Sequence, residues 1–282
     1  MRSEKRKVFL VNDTYLYDHH FGCEMVSATF REQFCRTGLE MIGTAPKKFD
    51  PEKYRSKMDD ADLIVINGEG SMHSNNSRHL LEIAREYPAV LVNSVFQDND
   101  ENASLLENFR YIAVRESRSA DYVRAFGFDV DVVPDVIFAS AFVRAYTKNA
   151  PVNDIGMSDS VFRQKFRFGP FKWKRAFGFP AQCSVVEYLK MLESYRRLCI
   201  GRFHGVVLAS MLGIPFSSWE SNTWKISGLM RDMGAEHLHF ATQRDAVRAV
   251  PCVFPLQIRE FVDAAPARIE RMFDHIASLA KR

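Results

Sequence analysis

The sequence predicts an α/β protein built on a parallel, doubly wound sheet, and three observations predict it. Short apolar runs such as KVFLVN (residues 7–12) and LIVIN (residues 63–67) alternate with amphipathic segments of helical period through the first half of the chain. Glycine, histidine and other polar residues gather where each apolar run ends, as expected where ligands collect at the carboxyl ends of parallel strands. At 282 residues the chain also exceeds the usual single-domain size, so one large or two moderate α/β domains are expected.

In order, residues 7–12 read as a buried strand, followed by a loop with Asp18, His19, His20 and Gly22 and an amphipathic helix to about Arg36. Residues 39–44 form the second strand. Asp50 caps a helix with Pro51 at its first position, running to about Ala61. The third strand, 63–67, ends in Asn67-Gly68-Glu69-Gly70-Ser71-Met72-His73. Helices at 78–87, 103–109 and 117–126 then alternate with strands at 89–93, 111–114 and 130–133. Residues 135–180 read as a linker and an irregular segment entering a second domain. A helix at 185–196 leads to a strand at 198–200, a helix closing at Gly213 and Pro215, and a strand at 216–220. Another helix opens at Ser221-Asn222-Thr223-Trp224-Lys225. From Leu256 the chain is helical and is expected to break near Pro266.

Composition narrows the function. Hydrophobic residues at 46% and charged residues at 26% argue against disorder, and a net charge of +3 gives no reason to expect nucleic acid. Cys23, Cys35, Cys183, Cys199 and Cys252 show no C-x-x-C spacing, which argues against a zinc site and a disulfide framework and suits a reducing cytosol. Neighbouring His19 and His20 in an extended loop point apart, so no metal site is expected. The charged start and the lack of a long apolar run predict neither a signal peptide nor a membrane span. Between Ser160 and Val186, Arg163, Lys165, Arg167, Lys172, Lys174 and Arg175 interleave with Phe162, Phe166, Phe168, Phe171, Trp173 and Phe177. That mixture suits a polyanion, a sugar chain or an anionic membrane surface, although a solvated loop whose aromatics tuck into the domain is the commoner explanation.

The central stretch is the strand-turn-helix at 198–212. Gly201 and Gly205 bracket Arg202, Phe203 and His204, so free backbone N–H groups and the positive helix end would meet an anion. Arg202 offers a planar fork for carboxylate or phosphate, and His204 can carry a proton near neutral pH. A packed histidine and a structural arginine are the alternative. His20 and Gly22, residues 68–73, Asn93 with Ser94, and Arg115 with Glu116 would converge on one cleft at the strand ends.

With these residues assembled, the chain resembles the polysaccharide pyruvyl transferase family from about Val8 to Met233. The resemblance rests on Asn67-Gly68-Glu69-Gly70-Ser71-Met72-His73, on Val114-Arg115-Glu116 with Ser119 and Pro134-Asp135, on Gly201-Arg202-Phe203-His204, and on Ser221-Asn222-Thr223-Trp224-Lys225. It implies two Rossmann-like domains in a GT-B-like arrangement, with parallel sheets and helices on both faces. Residues 1–140 would form the acceptor side, and residues 141–282 the donor side with C-terminal helices. The active site would lie in the interdomain cleft. The implied reaction moves pyruvate from phosphoenolpyruvate, a co-substrate with no cofactor, onto two hydroxyls of a surface-glycan sugar as a ketal. His204 would be the acid, with His73 or Glu69 orienting or deprotonating the acceptor. Arg202, Lys225, Asn222, Gly201 and Gly205 would bind the donor, and His20, Gly22, Asn67, Gly68, Arg115 and Glu116 the acceptor. The partner is then a saccharide, with a lipid-linked form and peripheral contact at the inner face of the cytoplasmic membrane through the basic segment as expectations. The rivals are a nucleotide-sugar glycosyltransferase on the same architecture, with Glu220 at the ribose, and a silent glycan-binding subunit.

Overall fold

The computed structural model describes residues 5–160 and 182–280. They divide into two compact units, the first drawn from Met1–Asp18, Met25–Ser140 and Ala265–Arg282, the second from His19–Glu24 and Ala141–Ala264. The basic residues Arg163, Lys165, Arg167, Lys172, Lys174 and Arg175 and their interleaved aromatics lie outside the described residues.

The first unit contains strands β1 (Lys7–Val11), β2 (Glu40–Ala45), β3 (Leu63–Asn67), β4 (Ala89–Ser94), β5 (Tyr111–Val114) and β6 (Asp131–Val132). All pair in parallel, in the order β2-β1-β3-β4-β5-β6. β3 and β4 are buried along their whole length, which is why they read as unbroken apolar runs rather than alternating ones. The chain leaves β1 toward β2 on one side and returns to β3 on the other, so the strand order reverses between β1 and β3. Helices α1 (Phe21–Arg36), α2 (Pro51–Asp60), α3 (Arg78–Glu82) and α4 (Ser117–Arg124) connect the strands. The Asp50 side chain accepts from the Glu52 N–H and Pro51 occupies the first turn of α2, as the sequence predicts. The predicted helix at 78–87 instead tightens into a 3-10 turn at Ile83–Arg85, and the one at 103–109 is a 3-10 helix over Asp100–Asn108.

The second unit holds β7 (Asn153–Ser160), β8 (Tyr195–Gly201), β9 (Phe216–Trp219) and β10 (His239–Phe240), parallel in the order β10-β9-β8-β7. Its helices are α5 (Ala141–Arg144), α6 (Val185–Glu193), α7 (Phe203–Met211), α8 (Lys225–Asp232), α9 (Gln243–Arg248) and the first part of α10 (Leu256–Leu279). A capping box starts α6: Ser184 Oγ accepts from the Glu187 N–H, and the Glu187 carboxylate from the Ser184 N–H.

Two expectations are corrected. Part of the segment expected to be irregular is β7, whose inward positions are Gly156, Ser158 and Ser160. Gly156 has no side chain because Tyr195 presses on it, a Cβ there lying 2.6 Å from the Tyr195 ring, and Ser158 Oγ accepts from the Gly201 N–H at 2.9 Å. Pro266 does not break the last helix. The buried positions Ile258, Val262, Ala265, Ile269, Phe273 and Ile276 keep helical spacing across it, so packing outweighs the ~3 kcal/mol that an interior proline costs.

Candidate active site

In the second unit, the apolar end of β8, Leu198-Cys199-Ile200, delivers the chain to Gly201 and Arg202, and α7 begins at Phe203. Arg202 has extended backbone and makes no side-chain cap. Its guanidinium instead reaches Asp159 on β7, Nε donating to Oδ1 at 2.8 Å and an Nη to Oδ2 at 2.6 Å. This bidentate pair is largely buried, so two of the five guanidinium N–H groups expected to grip a donor are held by a carboxylate of the same unit.

His204 lies in the first turn of α7 and is 8% exposed. Gly22 seats it, because a Cβ there would lie 2.9 Å from the His204 Cε1 and would overlap Nδ1. The preceding residues complete an aromatic stack. Phe21 lies flat on the fully buried Tyr188 at 3.6 Å between centroids, His20 stacks on Phe21 at 4.5 Å, and the His20 and His204 ring centroids are 6.1 Å apart. Burial, then the negative charge of Asp159, pushes the Tyr188 hydroxyl well above the usual phenol range, so it stays protonated. Burial first, then the charges of His204, Arg202 and Lys225, lowers His20 to about 3. At neutral pH His20 is uncharged. Lys225, at the start of α8, donates from Nζ to Asn222 Oδ1 at 2.9 Å.

The structure gives several of the predicted site residues surroundings that the sequence did not indicate. His20 and Gly22, expected on the acceptor side, belong to the second unit beside His204. Gly201 and Gly205 are packing glycines: a Cβ on Gly201 would overlap the Trp219 ring, and one on Gly205 would lie 2.8 Å from the Tyr188 hydroxyl. Asn222 holds Lys225 in place. Glu220, at the end of β9, accepts from the Ser221 N–H at 3.1 Å and pairs with His239 at 3.2 Å. Asp159, Tyr188 and Phe21 are additions. Asp159 lacked a sequence signal because β7 did not read as a strand.

In the first unit the carboxyl ends of β1, β3 and β4 carry Asn12, Asn67 and Asn93, at the reversal of strand order. Asn12 Nδ2 donates to the Asn67 carbonyl at 2.6 Å and to Ser71 Oγ at 3.1 Å, and Asn67 Nδ2 returns a bond to the Asn12 carbonyl at 3.1 Å. Asn93 Nδ2 donates to Asn67 Oδ1 at 3.2 Å. Asn12 and Asn93 have φ of 62° and 56°, the left-handed conformation that Asn tolerates best after Gly. Glu69 is buried and accepts from Thr14 Oγ1 at 2.7 Å, while Gly68 lies against Ser94, where a Cβ would overlap that side chain. His73 sits half-buried on the following loop, 3.3 Å from Ser74 Oγ. Asn67, Gly68, Glu69 and Ser71 are thus brought together.

Arg115 and Glu116, expected to bind acceptor, make buried contacts within the first unit. Arg115 pairs with Asp135 at 2.8 Å, both essentially inaccessible. Glu116 caps α4 by accepting from the Ser119 N–H at 3.0 Å and from the Ser119 hydroxyl.

A family model described as polysaccharide pyruvyl transferase matches residues 13–218. No curated protein matches the chain. Among solved structures, it is similar to a functionally uncharacterised protein from Klebsiella pneumoniae, at 14% identity over 84% of this chain and 93% of that one, with a TM-score of 0.58. It is also similar to a UDP-GlcNAc 2-epimerase from Methanocaldococcus jannaschii, at 8% identity over 98% and 100% of the two chains, with a TM-score of 0.51. At these identities the likeness is one of fold. It agrees with the predicted class: α/β, with parallel sheets and helices on both faces.

Proposed function

The chain belongs to the polysaccharide pyruvyl transferase family, a family of transferases, and from that premise we propose that it moves pyruvate from phosphoenolpyruvate onto two hydroxyls of a surface-glycan sugar. The observation that carries the reading is the turn at the start of α7 in the second unit, where Arg202 and a nearly buried His204 stand together, with the His20 ring 6.1 Å from that of His204.

The reaction asks for a proton at the methylene carbon of the donor, which leaves electron deficiency at the carbon bearing the phosphate. His204 supplies that proton. One sugar hydroxyl adds to the carbon and loses its proton, the bond to phosphate breaks, and the second hydroxyl closes the ketal, losing its proton in turn. Of the two released protons, one restores His204 and the other leaves on phosphate. Lys225 and the guanidinium N–H groups of Arg202 not engaged by Asp159 hold the donor carboxylate and phosphate. Glu69 and His73 remain the candidates for the acceptor. The acceptor is a saccharide, lipid-linked in the form met at the inner face of the membrane; no helix among the described residues is long and apolar enough to cross one.

A nucleotide-sugar donor is the second reading, favoured by the fold shared with the UDP-GlcNAc 2-epimerase. Thermal unfolding separates the two, because a ligand that binds only the folded state raises the melting temperature according to its concentration relative to Kd. Phosphoenolpyruvate is expected to raise it, and Arg202→Ala to abolish the rise. A rise with UDP, CMP or GDP and none with phosphoenolpyruvate would replace the pyruvyl reading with the glycosyltransferase.

A further inference from the structure

We propose that His20 is a donor-binding residue locked in one neutral tautomer, giving its Nε2–H to an oxygen of the bound carboxylate-phosphate anion rather than binding the acceptor sugar. The inference deepens the proposed function and rests on it.

Geometry fixes the tautomer. The His20 carbonyl accepts the first helical bond of α1, from the Glu24 N–H at 3.1 Å, so His20 is the residue that caps this helix. Its side chain completes the cap, because the Gly22 backbone N–H donates to His20 Nδ1 at 2.9 Å. A nitrogen that accepts a hydrogen bond carries no proton, and in a neutral imidazole the proton is then on Nε2. The stack on Phe21 holds the plane of the ring. No hydrogen-bond partner among the described residues takes the Nε2–H.

The surroundings keep the ring neutral. Protonation at Nδ1 would set two donors against each other at Gly22 and leave a helix start without its cap. It would also add a cation to a cluster that already holds Arg202, Lys225 and His204, whose charges oppose it. A neutral imidazole does not surrender its remaining proton near pH 7, so His20 does not compete with His204 as an acid. What it offers is a fixed, uncharged donor beside a group that must change protonation state. Such a donor binds an oxyanion while leaving the charge of the site to be set by the ligand and His204.

The test uses the full chain with 15N-labelled histidine. Spectra between pH 5.5 and 8 should show His20 with a bare Nδ1 and a protonated Nε2 throughout, and the Nε2 resonance should move on addition of phosphoenolpyruvate or inorganic phosphate. In His20→Asn, whose side-chain oxygen can still cap α1, the Kd for phosphoenolpyruvate should rise on the order of tenfold or more while the melting temperature of the free protein changes little. A His20 that titrates near neutral pH, or a resonance that stays fixed while ligand binds, overturns the inference and leaves the pyruvyl reading standing. Movement with phosphate but no binding of phosphoenolpyruvate keeps the role of His20 and removes the donor. Failure of the wild-type chain to bind either anion overturns both.

Discussion

The His204 imidazole occupies the space where a side chain on Gly22 would be, so Gly22 and His204 are complementary in shape. One lies at the start of α1 and the other at the start of α7, and both helix starts depend on that fit. Gly22→Ala should therefore displace the ring. Overpacking of this kind costs about 1–3 kcal/mol. The expected result is a lower melting temperature together with loss of turnover, followed as phosphate release. Full activity in Gly22→Ala would show that the position of the His204 ring is not critical.

The pair of Arg202 and Asp159 makes a different prediction. Asp159→Asn keeps the shape of the partner but lets the amide face the guanidinium with the wrong group, so one of the two parallel bonds is lost. Donor affinity should fall, and Arg202→Lys, which keeps charge without the fork, should weaken it as well. Donor titrations of both variants check this. Tighter binding in Asp159→Asn would mean that the carboxylate competes with the donor for Arg202 instead of aiming it.

Acid should weaken the fold through His20. In the unfolded chain His20 takes up a proton near its ordinary value of 6.5, but the folded protein holds it to about 3. Between those values the unfolded state binds more protons, so stability rises with pH across the window, by no more than about 1.4 kcal/mol per pH unit for one group. Stability from this source is fully present above 6.5 and declines as pH falls toward 3. Urea unfolding of wild type and His20→Asn at pH 5 and pH 7.5 measures it. The difference between the two proteins should change with pH in favour of the variant at pH 5, and an equal difference at both values would contradict it.

Arg115 and Asp135 are expected to matter for stability before they matter for turnover. Removing one member of a buried pair leaves an uncompensated charge, and Asp135→Ala should cost about 3–5 kcal/mol in urea unfolding. A change below 1 kcal/mol with weakened acceptor binding would restore Arg115 to the acceptor site.

The first unit was legible where both faces of a strand are covered, because β3 and β4 then read as continuous apolar runs. The turn at Arg202 and His204 was legible for a similar reason: apolar β8 leads into apolar α7, and the polar pair stands out between them. β7 was hidden because its buried face is built from Gly156, Ser158 and Ser160, and Asp159 was hidden with it. Arg115 and Glu116 look like site residues at the end of a strand; only the placement of Asp135 and Ser119 beside them shows their charges turned inward. The association of His20 and Gly22 with His204 depends on contacts between residues remote in sequence, and no local pattern encodes it.

Neither unit is a continuous stretch of chain, since α1 and α10 each contribute residues to both. Phe273 on the late part of α10 packs edge-on against Phe30 and Phe34 of α1, 5.6 Å from each, in the first unit. On the ribosome Phe30 and Phe34 emerge early, but the ring that covers them is made only after all of the second unit has been synthesised. The first unit thus has its sheet long before it has its full core, and its apolar seam waits uncovered for most of translation.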